Sequence, residues 1–354
     1  MNIDKTSFTN AINDLLKIVL TLGIGALGSI IFIYLNLPIP WLLGAICATS
    51  FAVRYDTLPL KSPKIFSSPA RVIIGVTIGS AFSPEILNYL NVYFFSLLLV
   101  IPFTIITILL GMFYYYKILN FEKKTAFFCS IPGGLIELVI LGEQIKADTR
   151  KITLVQSSRL LFIILSLPFI VHYIFHVDVS GNQVITETLS QIDLKQLFYL
   201  VCIGTIGAIV GKKLNLFAAF LMGPMFLSIF AFSIGFVDSR PPDELLKFVQ
   251  VIFGTIIGFT FKGIKLDEVI KTLLSTFGHF IILACITTAF TLTVSYFFDF
   301  PIMSILLAFA PGGQADINLI AIIVGANVPY IAIHHIVRLF LVMNLANIFA
   351  KKLE

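Results

Sequence analysis

Long uncharged apolar runs alternate along the whole chain with short polar links, and most of the basic residues sit in the links. Runs of this kind predict helices, because about 20 consecutive apolar residues make one membrane-spanning helix. Six segments are read in the first half. They are Leu15–Leu35; Trp41–Val53 after Pro38 and Pro40; Val72–Phe82; one inside Ile86–Tyr116; Thr125–Gly142, interrupted at Pro132-Gly133-Gly134; and Ile152–Phe175, which contains Arg159. The polar stretch 177–194 reads as a linker, so the expected organisation is membrane repeat 1 over 1–176 and membrane repeat 2 over 195–354.

The second half repeats the first at a fixed offset of 179 residues. Asn36-Leu37 correspond to Asn215-Leu216, and Gly44 to Gly223. Gly75, Gly79 and Phe82 correspond to Gly254, Gly258 and Phe261. Pro132-Gly133-Gly134 correspond to Pro311-Gly312-Gly313, Glu137 to Asp316, and Arg159 to Arg338. Chance matching of apolar composition would repeat Leu and Ile, whereas this register keeps Gly, Pro and Arg, so the chain is an internal duplication.

Composition then fixes the class. Of 354 residues, 58% are apolar and 12% charged, against about 45–50% and about 25% in soluble domains, and the mean hydropathy is +0.99. A water-soluble enzyme is excluded. The first apolar run is long and lacks a small-residue cleavage site, so a cleaved signal peptide is not expected. Cys47, Cys129, Cys202 and Cys285 are scattered and suggest neither a disulfide framework nor a zinc site. The net charge of +5 reads as orientation signal rather than nucleic-acid binding.

With the two Pro-Gly-Gly segments re-entrant and the N-terminus inside, 19 Lys and Arg fall on the inner side, three (Lys195, Arg240, Lys247) outside, and Arg159 and Arg338 within the membrane. Letting those segments cross gives parallel repeats and a poorer split of 12 to 8. Making the third segment and its copy re-entrant instead gives 13 to 9. The expected fold is therefore an all-α polytopic membrane protein of two inverted repeats, with about ten crossings plus two re-entrant or broken Pro-Gly-Gly helices. Both termini are expected on the cytoplasmic side.

Irregular backbone at membrane depth needs protein or water to satisfy it, so both breaks are expected to line a cavity. Gly133, Gly134, Gly312 and Gly313 permit close backbone approach, and the half-helix after each break begins with free N–H groups that favour an anion. Arg159 and Arg338 read either as clamps on a substrate anion or as partners of Glu137 and Asp316 in structural ion pairs. The two acids read as coupling-ion groups or as charges capping their own helices. Gln156, Gln314, Asn318 and His335 add polar lining. His334 and His335, being adjacent, point about 100° apart on a helix and do not converge on a metal. The Gly75/Gly79 and Gly254/Gly258 pairs read as close-packing devices, and Trp41 and Tyr114 to Tyr116 as interfacial anchors.

The duplicated unit, PWLLGAI after the first helix, GxxxGxxF in the third segment and PGGLIE with its echo PGGQAD resemble the AbrB-type duplicated membrane protein family. Members carry labels such as ammonia monooxygenase or AbrB family regulator. The resemblance implies a multi-pass protein of the bacterial inner membrane. A monooxygenase would need a convergent metal site that five dispersed histidines do not supply. A DNA-binding regulator would need a soluble basic module for which no loop is long enough. The expectation is a secondary transporter of a small anionic or carboxylate solute, coupled to protons or sodium. It is not an enzyme and needs no cofactor or metal. Its partners are the solute or ion and the lipid bilayer, without nucleic acid, and a homo-oligomer is compatible. The alternative is a membrane regulatory or scaffold protein that affects gene expression indirectly, without flux.

The distribution of basic residues predicts labelling. Single cysteines at Lys64, Lys123 and Lys146 of a cysteine-free background should be blocked only by cytoplasmic reagent, and one at Asp299 only from outside. External labelling at position 146 would restore parallel repeats.

Overall fold

The computed structural model describes residues 5–55, 57–82, 90–133, 135–177, 186–216, 218–263 and 266–353, without side chains for 5–11, 90–92, 135–137, 266–269, 347 and 350–353. Among the described residues the secondary structure is entirely helical. The first half holds α1 (Lys5–Tyr34), α2 (Pro40–Ala52), α3 (Ser67–Ser80), α4 (Leu90–Met112), α5 (Lys123–Ser130), α6 (Leu135–Gln144) and α7 (Thr149–Tyr173). The second holds α8 (Leu194–Lys213), α9 (Ala219–Ser233), α10 (Asp243–Phe259), α11 (Leu266–Phe297), α12 (Ile302–Phe309), α13 (Gln314–Ile323) and α14 (Val328–Leu353). Shifting the bounds of α5 and α6 by 179 gives those of α12 and α13 without remainder, and the other five pairs correspond in order, with end shifts of up to six residues apart from the start of α8, which falls ten residues later than that of α1.

Among the described residues six helices are long and apolar enough to cross a membrane: α1, α4, α7, α8, α11 and α14, three from each half. By length and composition this is a membrane protein. The interrupted Thr125–Gly142 segment becomes α5 and α6, separated at the Pro-Gly-Gly sequence.

Local chemistry explains where the helices stop. Asn36 (φ 51°) and Asn215 (φ 49°) take the left-handed conformation just after α1 and α8. In each case the next residue reaches back to close the turn, Leu37 N to Phe32 O and Leu216 N to Gly211 O. Asparagine tolerates this conformation better than most residues, which gives the repeated Asn-Leu pair a physical role as a helix stop. Pro40 then opens α2 at a position where its missing N–H is harmless.

The chain forms two compact units, each drawing on both halves. The first comprises Met1–Ser80 and His176–Ile264, and thus α1–α3 with α8–α10. Within it packing is reciprocal: α3 lies on α9 and α10 lies on α2. A Cβ added at Gly75 would collide with the Leu221 carbonyl, and one at Gly254 with the Leu42 carbonyl. Leu42 and Leu221 are themselves 179 apart, so the contact is made twice, once in each direction. Ser228 Oγ donates to Val76 O at 2.9 Å across the same seam. The glycine pairs therefore let helix backbones touch, as their spacing predicted.

The second unit comprises Ala81–Phe175 and Lys265–Glu354, hence α4–α7 with α11–α14. Here too the halves exchange partners, α7 packing on α11 and α14 on α4. Both breaks belong to this unit.

Replacing Gly75 or Gly254 by Val should lower stability by a similar ~1–3 kcal/mol each, because both intrude on an equivalent backbone crossing. Gly23, whose Cβ would meet nothing within 4 Å, should accept Ala without loss. Thermal unfolding in detergent checks both, and a glycine pair of unequal sensitivity would contradict the reciprocal packing.

Candidate functional site

The site is assembled from a half-helix, the break after it, and the long helix that follows in the same repeat. The half-helices α5 and α12 are tied to α7 and α14 at both ends. At the near end Asp148 Oδ1 accepts the Lys151 N–H at 3.0 Å and so caps α7. Asn327 Oδ1 accepts the Tyr330 N–H at 3.1 Å at the start of α14. The backbone N–H of each capping residue donates back into the half-helix, Asp148 to Thr125 Oγ1 at 3.0 Å and Asn327 to Ser304 Oγ at 2.9 Å. Every residue in one set is its counterpart plus 179.

At the far end the half-helix stops and its last carbonyls lose their helical partners. Gln156 Nε2 donates to Phe128 O (2.7 Å) and Ile131 O (3.1 Å). In the second repeat His335 holds the same position, its Nε2 on Leu307 O at 3.0 Å. A carbonyl cannot donate, so that ring nitrogen carries the proton. One turn further along, Arg159 donates from Nη1 to Ile131 O (2.8 Å) and from Nη2 to Gly133 O (3.4 Å). Arg338 does the same with Ala310 O (2.6 Å) and Gly312 O (3.1 Å). Each guanidinium thus straddles the proline of its own break.

The arginines are 1% and 4% exposed, so the charges lie inside protein rather than at an interface. Each break also touches the long helix of the other repeat. The Cβ position of Gly133 is 2.9 Å from Val342, and that of Gly312 is 3.5 Å from Ile163, residues again 179 apart.

A profile of the family described as transition state regulatory protein AbrB matches residues 41–354. The chain belongs to the AbrB family. It is 24% identical over 365 aligned positions to "Uncharacterized protein YhjN" of Bacillus subtilis (strain 168), covering 96% of this chain and 94% of that one. It is 25% identical over 333 positions to "Putative regulator AbrB" of Escherichia coli (strain K12), covering 89% and 90%. Both similarities extend over most of each chain.

The remaining candidates fall around the same breaks. Gly313 is the residue before α13, and a Cβ added there would collide with the Asp316 carboxylate of the first turn. Asn318, fully buried, donates to Gln314 O at 2.7 Å. The side-chain amide of Gln314, half-buried, makes no hydrogen bond among the described residues. His334 turns away from His335, its Nδ1 on Tyr330 O at 2.7 Å and its Nε2 on Ser96 Oγ at 2.9 Å. Gly134 and the side chain of Glu137 lie outside the described residues.

Tyr115 corrects an expectation. Rather than anchoring at an interface with its neighbours it is fully buried, and its hydroxyl lies 3.1 Å from His279 Nδ1. Three consecutive helical residues cannot share one face. Tyr114 bonds Ser275 O, and only Tyr116 is exposed. His279 itself gave no sequence signal, since its repeat counterpart is Val100. The Thr125/Ser304 and Asp148/Asn327 ties could have been found, because they recur at the offset with their chemistry kept.

The two repeats use different side chains for one task, which predicts an exchange. His335→Gln should cost under about 1 kcal/mol, because an amide does that work in the first repeat, whereas His335→Leu should cost ~1–3 kcal/mol for an unsatisfied buried carbonyl. Equal melting temperatures for the two variants would remove the carbonyl-bonding role.

Proposed function

We propose that this protein is a secondary transporter of a small anionic or carboxylate solute, coupled to protons or sodium. The carrying observation is the matched pair of breaks, interrupting equivalent helices and each pinned by a buried arginine within one compact unit. Discontinuous helices at corresponding places in two repeats are where such transporters hold their substrates.

An anion suits the local charge. Each guanidinium has five N–H donors, and the carbonyls named above take two of them; Arg159 Nε makes no hydrogen bond among the described residues. The half-helices α6 and α13 start at the breaks, where the first N–H groups of a helix have no partner within it and the helix dipole is positive. Glu137 and Asp316, third in their half-helices, are the groups to which we assign the coupling ion. Gln314 and Asn318 supply polar lining on the second side.

The topology we propose has five crossings per repeat, with α5–α6 and α12–α13 re-entrant. An odd count makes the repeats inverted, and the distribution of basic residues favours both termini on the cytoplasmic side of the inner membrane. At 13 and 14 residues, α2 and α3 rise only about 20 Å against a hydrocarbon core of about 30 Å. They would cross where the bilayer is thinned or where other helices surround them.

Uptake by proteoliposomes tests the reading. With an imposed inward proton or sodium gradient, at least one member of a panel of small radiolabelled carboxylates should accumulate above empty vesicles. Glu137→Gln and Asp316→Asn should abolish gradient-driven accumulation while leaving the protein folded. Absence of uptake across the panel, with a cellular phenotype that survives both substitutions, would favour the regulatory or scaffold role instead.

A further inference from the structure

We propose that Arg159 and Arg338 are built-in cations, occupying the half-helix ends where a coupling metal ion would otherwise sit, so that the protein has no sodium requirement at its breaks. The consequence for coupling rests on the transporter reading; the occupancy of the two ends does not.

The C-terminal end of a half-helix carries exposed carbonyls and the negative end of the helix dipole. Unwound carbonyls and half-helix C-termini are the groups that coordinate sodium in transporters with broken helices. In this protein those oxygens are already engaged. Nη1 and Nη2 of Arg159 span Ile131 O and Gly133 O, and those of Arg338 span Ala310 O and Gly312 O. Ile131 O also accepts from Gln156 Nε2. A carbonyl oxygen has two lone pairs, so two donors leave that oxygen none to offer a metal ion. The guanidinium does not deprotonate in proteins, and its planar fork bonds two acceptors at once. The charge at each break is therefore permanent and covalently attached.

A fixed cation cannot enter and leave with the solute. A charge that moves in the cycle must be carried by another group, and within the proposed transport cycle that leaves protons on the acids Glu137 and Asp316 as the driving ion.

The test uses the purified full-length protein in detergent and needs no solute. Its melting temperature should be the same in sodium chloride as in choline chloride at equal ionic strength; a saturable, sodium-specific rise overturns the proposal. Arg338→Ala should melt roughly 5–10 °C lower. Millimolar methylguanidinium or sodium should restore part of the loss saturably, with no gain for the unsubstituted protein. A folded variant that gains from neither cation overturns it as well.

Should the alanine variant not fold, Arg338→Lys is compared with Arg338→Gln. The lysine variant is expected to melt higher because it keeps the charge, and equality of the two sinks the cation role. If no variant is recovered folded, the sodium-against-choline comparison decides alone. Failure of solute uptake would leave these results standing, so the two ideas fail separately.

Discussion

A helix broken inside packed protein exposes carbonyls that apolar neighbours cannot bond, and the arrangement around both breaks follows from that constraint. Leaving a buried acceptor unsatisfied costs about 1–3 kcal/mol. Bonds from a charged donor are roughly twice as strong as neutral ones. Burying a guanidinium carries its own penalty of several kcal/mol unless its N–H groups find acceptors. Arginine and break therefore need each other: the proline turn supplies paired oxygens, and the fork supplies paired donors. Removing either one leaves the buried polar groups of the other without their partners, at a cost in stability.

The same economy appears in how the repeats are combined. Each compact unit takes helices from both halves, and the contacts come in reciprocal pairs: α3 on α9 with α10 on α2, and α7 on α11 with α14 on α4. This is the logic of a two-fold interface, in which one patch meets its own counterpart's partner. A half cannot complete its packing alone, because the surface that buries Gly75 belongs to the other repeat. Duplication in this chain builds two shared cores instead of two independent domains.

Much of this could be read in advance, because duplication writes geometry into sequence. Residues constrained by backbone shape recur at the offset: Asn36 and Asn215 end helices, Gly75 and Gly254 admit a neighbouring backbone, and the Pro-Gly-Gly triplets open the breaks. The partners of the arginines were hidden. A carboxylate would have announced itself as a residue type, but every residue has a backbone carbonyl, so Ile131 and Ala310 look like any apolar position. Tyr115 and His279 were obscure for another reason: each sits in a long apolar run, and which face of a helix turns inward depends on neighbours that the local pattern does not name.

What the two copies keep and what they change then divide by role. The hydrogen-bonded frame is kept: Arg159 and Arg338 donate to the carbonyls of the breaks, the Thr125 and Ser304 hydroxyls accept the N–H of the capping residues, and where the side chain changes type, as for Gln156 and His335, the donated hydrogen bond is retained. Immediately beyond the breaks the copies diverge. Gln314 and Asn318 stand where the first repeat has Leu135 and Val139, and Asp316 is shorter than Glu137. A frame under structural constraint tolerates only substitutions that bond the same oxygen, whereas a surface that meets a ligand is free to differ between copies, since one ligand cannot itself be two-fold symmetric in general. Under the transporter reading proposed above, the added polar groups after the second break are where selectivity for a solute would reside, while the arginines, common to both copies, set the charge.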